Sequence, residues 1–310
     1  MSCSKLWLLV FLLSPTILSC GSDPAASPEP NPPSPDELDL AFGSDTTFDI
    51  ITWNIEEFPK DETETPTYLA RVLEALEPDV VAIQEVWSPQ HLQWVAGAAG
   101  SYELAIASND PESGLAFLVN TETVEILAPA QAIYVNQSYD FGYRGPAVLR
   151  VRYRERDLTL INLHYKCCGD NILGEDWWDE EYRRLQATSL LKSYLDESQA
   201  NHAVIAVGDW NDELTDAEPN NVFWPLIEDA ARYRFADMPL AESNDTRNWS
   251  FPWYPSHIDH VLINEPLFEA SEHADAHIET ILVEDALPNG DWDYYEYLSD
   301  HRPVGLRLPL

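Results

Sequence analysis

Positive charge is what this sequence has least of. Its 310 residues hold 17 Lys and Arg against 54 Asp and Glu, a formal net charge of −37. A chain this acidic repels itself, stays in solution, and has no general electrostatic attraction for nucleic acid or anionic lipid. Cysteine is almost as scarce. Cys3 and Cys20 lie in the N-terminal segment, and Cys167 and Cys168 stand side by side in the remainder. One adjacent pair has no zinc-ligand spacing, which excludes a thiolate zinc site. In an oxidising compartment the pair forms either a vicinal disulfide or two thiols, and both remain open from sequence. Beyond the N-terminal segment no apolar run is long enough to span a bilayer. There is no internal repeat.

The N-terminal segment has the character of a targeting sequence. Lys5 supplies a minimal positive region and Leu6 to Leu13 a short apolar one. Ile17-Leu18-Ser19-Cys20-Gly21 resembles a bacterial lipobox, with cleavage before Cys20 and lipid on its sulfur. An ordinary secretory signal with a chance cysteine is the alternative. Gly21, not Asp, follows Cys20, so inner-membrane retention is not indicated and the outer membrane is the expected anchorage. Ser22 to Asp39 is rich in Pro, Ser and acid without apolar period, the composition of a disordered tether. The expected organisation is a signal peptide over 1–19, a tether over 20–41 and one domain over 42–310.

Within that domain, short apolar runs repeatedly border polar clusters. Trp53-Asn54-Ile55, Gln84-Glu85, Asn162-Leu163-His164 and Gly208-Asp209-Trp210-Asn211 each follow such a run, while His257-Ile258-Asp259 and Ser299-Asp300-His301 each precede one. This is the pattern of buried strands that deliver polar tips to one rim of a sheet. Carboxylates, carboxamides and histidines brought together suit a hard divalent cation and a phosphate. Strands are expected near 48–54, 80–85, 103–108, 114–119, 147–153, 158–164, 203–208, 258–263 and 303–308. Thr65-Pro66 reads as the start of a helix that Pro78 ends, and Glu181 to Asp196 as a second helix, with Arg183 and Arg184 on its solvated face. Cys167–Glu180 and Ala286–Leu298 read as long acidic, aromatic loops. Mostly strands with a few helices between them predict a mixed two-sheet sandwich with outer helices.

With the clusters in this order, the chain resembles the endonuclease/exonuclease/phosphatase superfamily, the deoxyribonuclease-I-like fold. The segments that carry the resemblance are Ile51-Thr52-Trp53-Asn54-Ile55, Ala82-Ile83-Gln84-Glu85-Val86, Tyr143-Arg144-Gly145-Pro146-Ala147, Ile161-Asn162-Leu163-His164, Val207-Gly208-Asp209-Trp210-Asn211, Ser256-His257-Ile258-Asp259-His260 and Leu298-Ser299-Asp300-His301-Arg302-Pro303-Val304. The resemblance implies an α/β four-layer sandwich of two mixed, mainly antiparallel β-sheets flanked by helices, with the active site at one edge. It implies Glu85, Asn54 and Asp300 as ligands of one Mg2+, with Mn2+ or Ca2+ as alternatives. The carboxylate of Glu85, placed on the strand face of Val81 and Ile83, carries most of that expectation. It implies an Asp259–His301 pair as general base for water, since a carboxylate fixes the imidazole tautomer and raises its basicity. His164 is expected to stabilise a phosphate oxygen or assist the leaving group, Asp209 and Asn211 to orient water, metal or phosphate, and Arg144 to clamp phosphate. His91, His202, His273 and His277 have no partner motif, and His257 and His260 are expected to pack away from the site.

The chain departs from individual branches of that superfamily. In the deoxyribonuclease branch the counterpart of His164 pairs with a glutamate from an earlier strand, and here Ser113 stands near the expected place. The abasic-site repair branch has a Tyr and a Pro-Asn loop where this chain reads Asn-Leu-His-Tyr-Lys-Cys-Cys, and no basic pocket of the inositol-phosphatase kind stands out. The expected function is an exported, lipid-anchored, metal-dependent phosphodiesterase, with nucleic acid as favoured substrate and no protein partner implied. A phospholipid or sphingolipid phosphodiesterase or a phosphatase of the same fold is the rival enzyme, and a catalytically inactive surface binding lipoprotein the rival of another class.

Overall fold

A computed structural model describes residues 33–34 and 38–310. The expected signal peptide, the expected lipidation site Cys20 and most of the expected tether lie outside the described residues. Among the described residues twelve strands form two six-stranded sheets. The strands are β1 (Phe48–Phe58), β2 (Val80–Val86), β3 (Tyr102–Ile106), β4 (Ala116–Asn120), β5 (Val124–Ala132), β6 (Ala147–Tyr153), β7 (Arg156–His164), β8 (Ala203–Asp209), β9 (Tyr233–Phe235), β10 (Asp259–Asn264), β11 (His277–Thr280) and β12 (Val304–Leu308). The first sheet runs β11-β12-β1-β2-β4-β3, the second β5-β6-β7-β8-β10-β9. Each sheet has one parallel pair, β1 with β2 and β7 with β8, and is otherwise antiparallel. The expected mixed, mainly antiparallel four-layer sandwich is what the chain forms.

Three buried clusters define the layers. Ile51, Trp53, Val81 and Ile83 pack outward against Leu69 and Leu73 of α1 (Glu64–Leu76) and Leu92 of α2 (Pro89–Ala98). Ile50, Val80, Leu160, Ile205, Val207, Val261 and Ile263 fill the space between the sheets. Ile161, Leu163, Val204 and Ala206 pack outward against Ala187, Leu191 and Leu195 of α3 (Glu180–Ser198). Side chains alternate along a strand, so the rows facing the other sheet continue to polar ends: Ile50-Thr52-Asn54, Leu160-Asn162-His164, Ile205-Val207-Asp209 and Ile263-Val261-Asp259. Parallel neighbours β1 and β2, and likewise β7 and β8, carry their C-terminal ends to the same rim. Antiparallel β10 brings its first residue there, with Asp259 opposite Asp209.

Between the apolar rows and the rim lies a layer of buried amides. Gln84 Nε2 donates to Asn162 Oδ1 at 2.7 Å and to Thr52 Oγ1 at 3.1 Å. Asn162 Nδ2 donates across the interface to the carbonyls of Ile83 and Ala116, both at 2.9 Å. The two sheets are thereby hydrogen-bonded to one another through side chains. Beside them β7 and β8 come so close that a Cβ on Gly208 would lie 1.9 Å from the Leu163 carbonyl oxygen, so only glycine fits.

Several expectations are corrected. Helix α1 starts at Glu64, before Thr65, because Asp61 Oδ1 takes the amides of Thr63 and Glu64, both at 2.8 Å. The segment 286–298 is not all loop: α4 (Trp224–Ile227), α5 (Met238–Ala241) and α6 (Phe268–Ser271) are single turns, but α7 (Asp291–Tyr297) lies within it. Arg183 and Arg184 are buried, not solvated. Arg184 pairs with Asp212 at 2.8 Å and Glu181 at 3.2 Å, and Arg183 lies 4.0 Å over the Tyr139 ring. Packing also reaches upstream of Phe42, since Leu38 is buried in the outer cluster of the first sheet.

Replacing Asn162 by Ala should destabilise the protein by about 2–4 kcal/mol, because it leaves buried amide and carbonyl groups without partners. Urea unfolding checks this, and a loss below about 0.5 kcal/mol would show that the cross-sheet amides contribute only packing.

Candidate active site

Asp209 is the centre of the rim. Its Oδ2 accepts from Asn54 Nδ2 at 3.0 Å and lies 3.3 Å from His164 Nε2 and 3.9 Å from His301 Nε2, while Oδ1 accepts from the Asn211 amide at 3.0 Å. Burial pushes its carboxyl up to about 7, with His301 opposing and Asp259 and Glu85 adding to the rise. The cost of an ionised carboxylate in this position is therefore felt at neutral pH.

His301 and Asp259 form the expected pair. The imidazole Nδ1 meets Asp259 Oδ2 at 2.8 Å, across the gap between the sheets. Burial alone would lower the imidazole; Asp259 and Asp209 outweigh it and push it up to about 10. The backbone of His301 is held from several sides. Trp53 Nε1 donates to its carbonyl at 3.0 Å, as does the Tyr294 hydroxyl from α7, and its amide donates to Ser299 Oγ at 2.9 Å. Ser299 Oγ in turn donates to Asn54 O at 2.6 Å. The Phe251 ring stacks on the imidazole with centroids 4.5 Å apart, and Ser250 Oγ accepts from the Asp259 amide at 3.1 Å. These positioning residues were missed from sequence. Only Ser299 and Trp53 carried a signal, through their places in the Ser-Asp-His and Trp-Asn-Ile clusters.

His164 is 3 % exposed and has its Nε2 toward Asp209. Burial, then the charges of Arg144 and His301, hold it well below the usual histidine range, so it is neutral at physiological pH. Its Nδ1 has no hydrogen-bond partner among the described residues. Ser113 gives it none, its hydroxyl accepting instead from the Leu115 amide at 3.4 Å.

Glu85 reaches the rim by a different route from the one expected. The face of Val81 and Ile83 points to the helices, away from the site. Glu85 escapes that face because its backbone is left-handed, φ 62°, where β2 ends. Its Oε1 lies 3.2 Å from Asn54 Nδ2 and 3.9 Å from His164 Nε2. A non-glycine residue held in this conformation is the kind of local strain found at functional sites. Asn211 shares it, φ 56°, and donates to the Tyr165 carbonyl at 3.2 Å. Asp300 lies 3.9 Å from His301 Nε2; burial raises its carboxyl, with His301 opposing and Glu56 and Glu85 adding. Arg144 stands behind His164, spending Nε and Nη2 on the carbonyls of His164 and Tyr165 at 3.4 and 3.1 Å.

Asp209, Asp259 and Asp300 thus gather around one imidazolium, with Glu85 close by at His164, and Asp259 Oδ1 is buried without a hydrogen-bond partner among the described residues. Excess carboxylate oxygen at a single rim fits a hard divalent cation. A second acid–histidine cluster does not. His257 Nε2 and His260 Nδ1 both meet Asp237 Oδ2, at 3.1 and 2.6 Å, while their other nitrogens face the carbonyls of Asn248 and Asp212 at 2.8 and 2.9 Å. Every ring nitrogen there already faces an oxygen of Asp237 or of a backbone carbonyl, and none is free to ligate. As expected, these two histidines pack away from the site.

The rim opens into a cavity of about 830 Å³ lined by Asn54, Glu85, His164, Asp209, Asn211 and His301, with Cys167, Cys168, Trp253 and Tyr254 at its walls. A cavity of similar size between β3 and β5, about 850 Å³, holds no histidine and only exposed pairs such as Arg152–Glu125.

The sequence matches the Endonuclease/Exonuclease/phosphatase family over residues 51–301. No curated protein matches it. Among solved structures it is similar to D. rerio TDP2 complexed with single-strand DNA product, with 20% identity, a TM-score of 0.62, and 86% of this chain and 100% of that one covered. The human Nocturnin catalytic domain with bound sulfate is similar at 15% identity and a TM-score of 0.56, over 90% of this chain and 99% of that one. A mannosyl-6-phosphatase of Bacteroides thetaiotaomicron is similar at 14% identity and a TM-score of 0.55, over 85% and 100%. At these identities the likeness establishes the fold.

The two acid–histidine clusters should respond differently to mutation. Burial alone would raise Asp237, but His260 and His257 hold it well below the usual carboxylate range; burial would lower His260, but Asp237 raises it. A depressed carboxyl stabilises above its unfolded pKa, and a raised imidazole below its own. The contribution is therefore complete between about pH 4 and 6.5, shrinking as acid titrates Asp237 or as base titrates His260. Asp237→Asn should cost about 3–5 kcal/mol in that window. Urea titrations across pH test it, and a cost that is small or independent of pH would refute the charged assignment.

Proposed function

The chain belongs to the endonuclease/exonuclease/phosphatase family, whose members are divalent-metal-dependent phosphoric ester hydrolases, and from that premise we propose that it is an exported Mg2+-dependent phosphodiesterase acting on nucleic acid strands. The observation that carries the reading is the His301–Asp259 pair, 2.8 Å long, with the imidazole Nε2 left facing the carboxylates of Asp209 and Asp300. Asp259 fixes the proton on Nδ1; the carboxylates of Asp259, Asp209 and Asp300 together raise the imidazole, and a cation held beside it would offset their charge and free Nε2 to take a proton from water. Neutral His164, protonated on Nε2, donates a hydrogen bond to a phosphoryl oxygen as charge develops on it. Asn211 borders the same cavity, and Arg144, behind His164, would act on the phosphate through its charge. Glu85, Asn54 and Asp300 would hold the cation, which when bound stabilises the charge of the phosphoryl group.

Water, not a side chain, is the nucleophile in this reading. The hydroxyls of Ser113, Ser250 and Ser299 are bonded to backbone groups, and Cys167 Sγ meets Lys166 and Cys168 rather than a histidine. Nucleic acid is favoured because Trp253 and Tyr254, 63% and 75% exposed, offer ring faces at the cavity mouth for bases to stack on. The D. rerio relative bound to single-strand DNA product agrees with this choice. The net charge of −37 supports a second reading, a small phosphoester with little charge beyond the reacting phosphate. We further propose anchorage through lipid on Cys20 at the outer membrane of a bacterial envelope, on the strength of Ile17-Leu18-Ser19-Cys20-Gly21.

With Mg2+, Mn2+ or Ca2+ supplied in turn, the protein should cleave single-stranded DNA or RNA, and EDTA should abolish the activity. Hydrolysis of sphingomyelin or of simple phosphomonoesters alone would overturn the nucleic-acid assignment. Glu85→Gln should keep the fold and lower kcat/KM by about a hundredfold or more, through lost charge at the cation. His301→Ala and Asp259→Asn should each lower kcat by about 10²–10⁴-fold. The double variant should lose little more, because the pair acts as a unit; additive losses would separate them. For the anchor, a fatty-acid analogue should label the wild type and not Cys20→Ser, and equal labelling would refute the lipobox.

A further inference from the structure

Cys167 and Cys168, which follow Lys166 just beyond the end of β7, line the wall of the acid-lined cavity. The two thiols lie 2.9 Å apart, with the Cys168 thiol donating to Cys167 Sγ. Lys166 Nζ donates to the same sulfur at 3.4 Å and to the Cys167 carbonyl at 2.7 Å. Cys167 Sγ therefore receives a thiol proton on one side and an ammonium on the other, the setting in which a sulfur attacks disulfides. Cys168 keeps its proton: the hydrogen bond to Cys167, then burial, raises its pKa.

The backbone holds this arrangement in place. Arg184 Nη1 donates to the carbonyls of Lys166 and Cys168, at 2.8 and 2.7 Å, and so brackets both cysteines. Arg184 is itself 1% exposed and locked to Asp212 and Glu181. Cys168 sits at φ 72°, a left-handed conformation that such a clamp sustains. Cys168 is exposed and Cys167 half-buried, so both are within reach of a small reagent. Neither sulfur has a part in the hydrolysis described above.

We propose that Cys167 and Cys168 form a thiol–disulfide exchange site in the cavity wall, with a small disulfide of the glutathione class as co-reactant. Cys167 gives up its proton and attacks one sulfur of the co-reactant as thiolate, forming a mixed disulfide and releasing one thiolate that takes up a proton. Cys168, giving up its proton, then displaces the second thiolate and closes the Cys167–Cys168 bond. Two protein thiols are oxidised and one disulfide is reduced to two thiols. Closure turns the Cys167 sulfur into a weaker acceptor for Lys166, whose ammonium already lies 3.9 Å from Glu180.

The test is peptide mapping of the full chain, reduced, desalted and treated with oxidised glutathione before alkylation. The peptide bearing both cysteines should lose both alkylatable thiols, carry no adduct, and recover with dithiothreitol. Cys168→Ser should stop at the glutathione adduct, and Cys167→Ser should react at least about tenfold more slowly; both variants are near-isosteric and their folding is checked by circular dichroism. Persistence of two free thiols, a stable adduct on the wild-type pair, or equal rates in Cys167→Ser would each overturn the proposal. The readout is mass, not turnover, so it stands or falls separately from the hydrolase reading.

Discussion

One carboxamide contact inside the sandwich, Gln84 Nε2 on Asn162 Oδ1, governs how the two sheets stand against each other. The rim has no meaning within a single sheet. Asn54 and Glu85 come from the first sheet, His164, Asp209 and Asp259 from the second, and His301 from the turn leading back into the first. The Asn54–Asp209 and His301–Asp259 bonds both span the gap. Alternation means that a slip of one residue would turn every polar tip to the opposite face. Buried amides are well suited to forbid it, because an out-of-register amide loses all its partners at once.

Among the described residues two buried clusters combine aspartate with histidine, on opposite faces of β10. His260 looks toward the helical layer, among Trp210, Phe223 and Phe235, and both of its nitrogens are occupied. One residue earlier, Asp259 looks between the sheets and engages only one nitrogen of His301. Saturation makes the first cluster a brace. The incomplete second cluster has a nitrogen to offer chemistry. Composition cannot distinguish them, since both consist of buried Asp and His; the difference lies in how many acceptors surround each ring.

Much of this was legible in the sequence because strand alternation and polar run-ends are local signals. Asn54, His164, Asp209 and Asp259 lie on the rows that the alternation of β1, β7, β8 and β10 predicts. Glu85 was identified correctly by type and wrongly by face, because a left-handed backbone at a strand end leaves no mark on hydrophobic period. Arg183 and Arg184 looked solvated because charge was taken to mean exposure, whereas their partners Tyr139 and Asp212 lie far away in the chain. Strand β5 escaped notice because Pro129 interrupts it; as an edge strand with register shifts at Ala128, it can accommodate a residue without an amide donor. The supports of His301 from Phe251 and Tyr294 are products of tertiary proximity alone.

The central pairing of β1 with β12 has a directional consequence. Phe48 stands beside Leu308 at one end of the first sheet, while Asn54 and His301 lie toward the other. Six residues of extended strand separate Phe48 from Asn54, about 20 Å. Whatever meets the Phe48–Leu308 end is therefore a strand's length from the reacting groups and can act on them only through the sandwich itself.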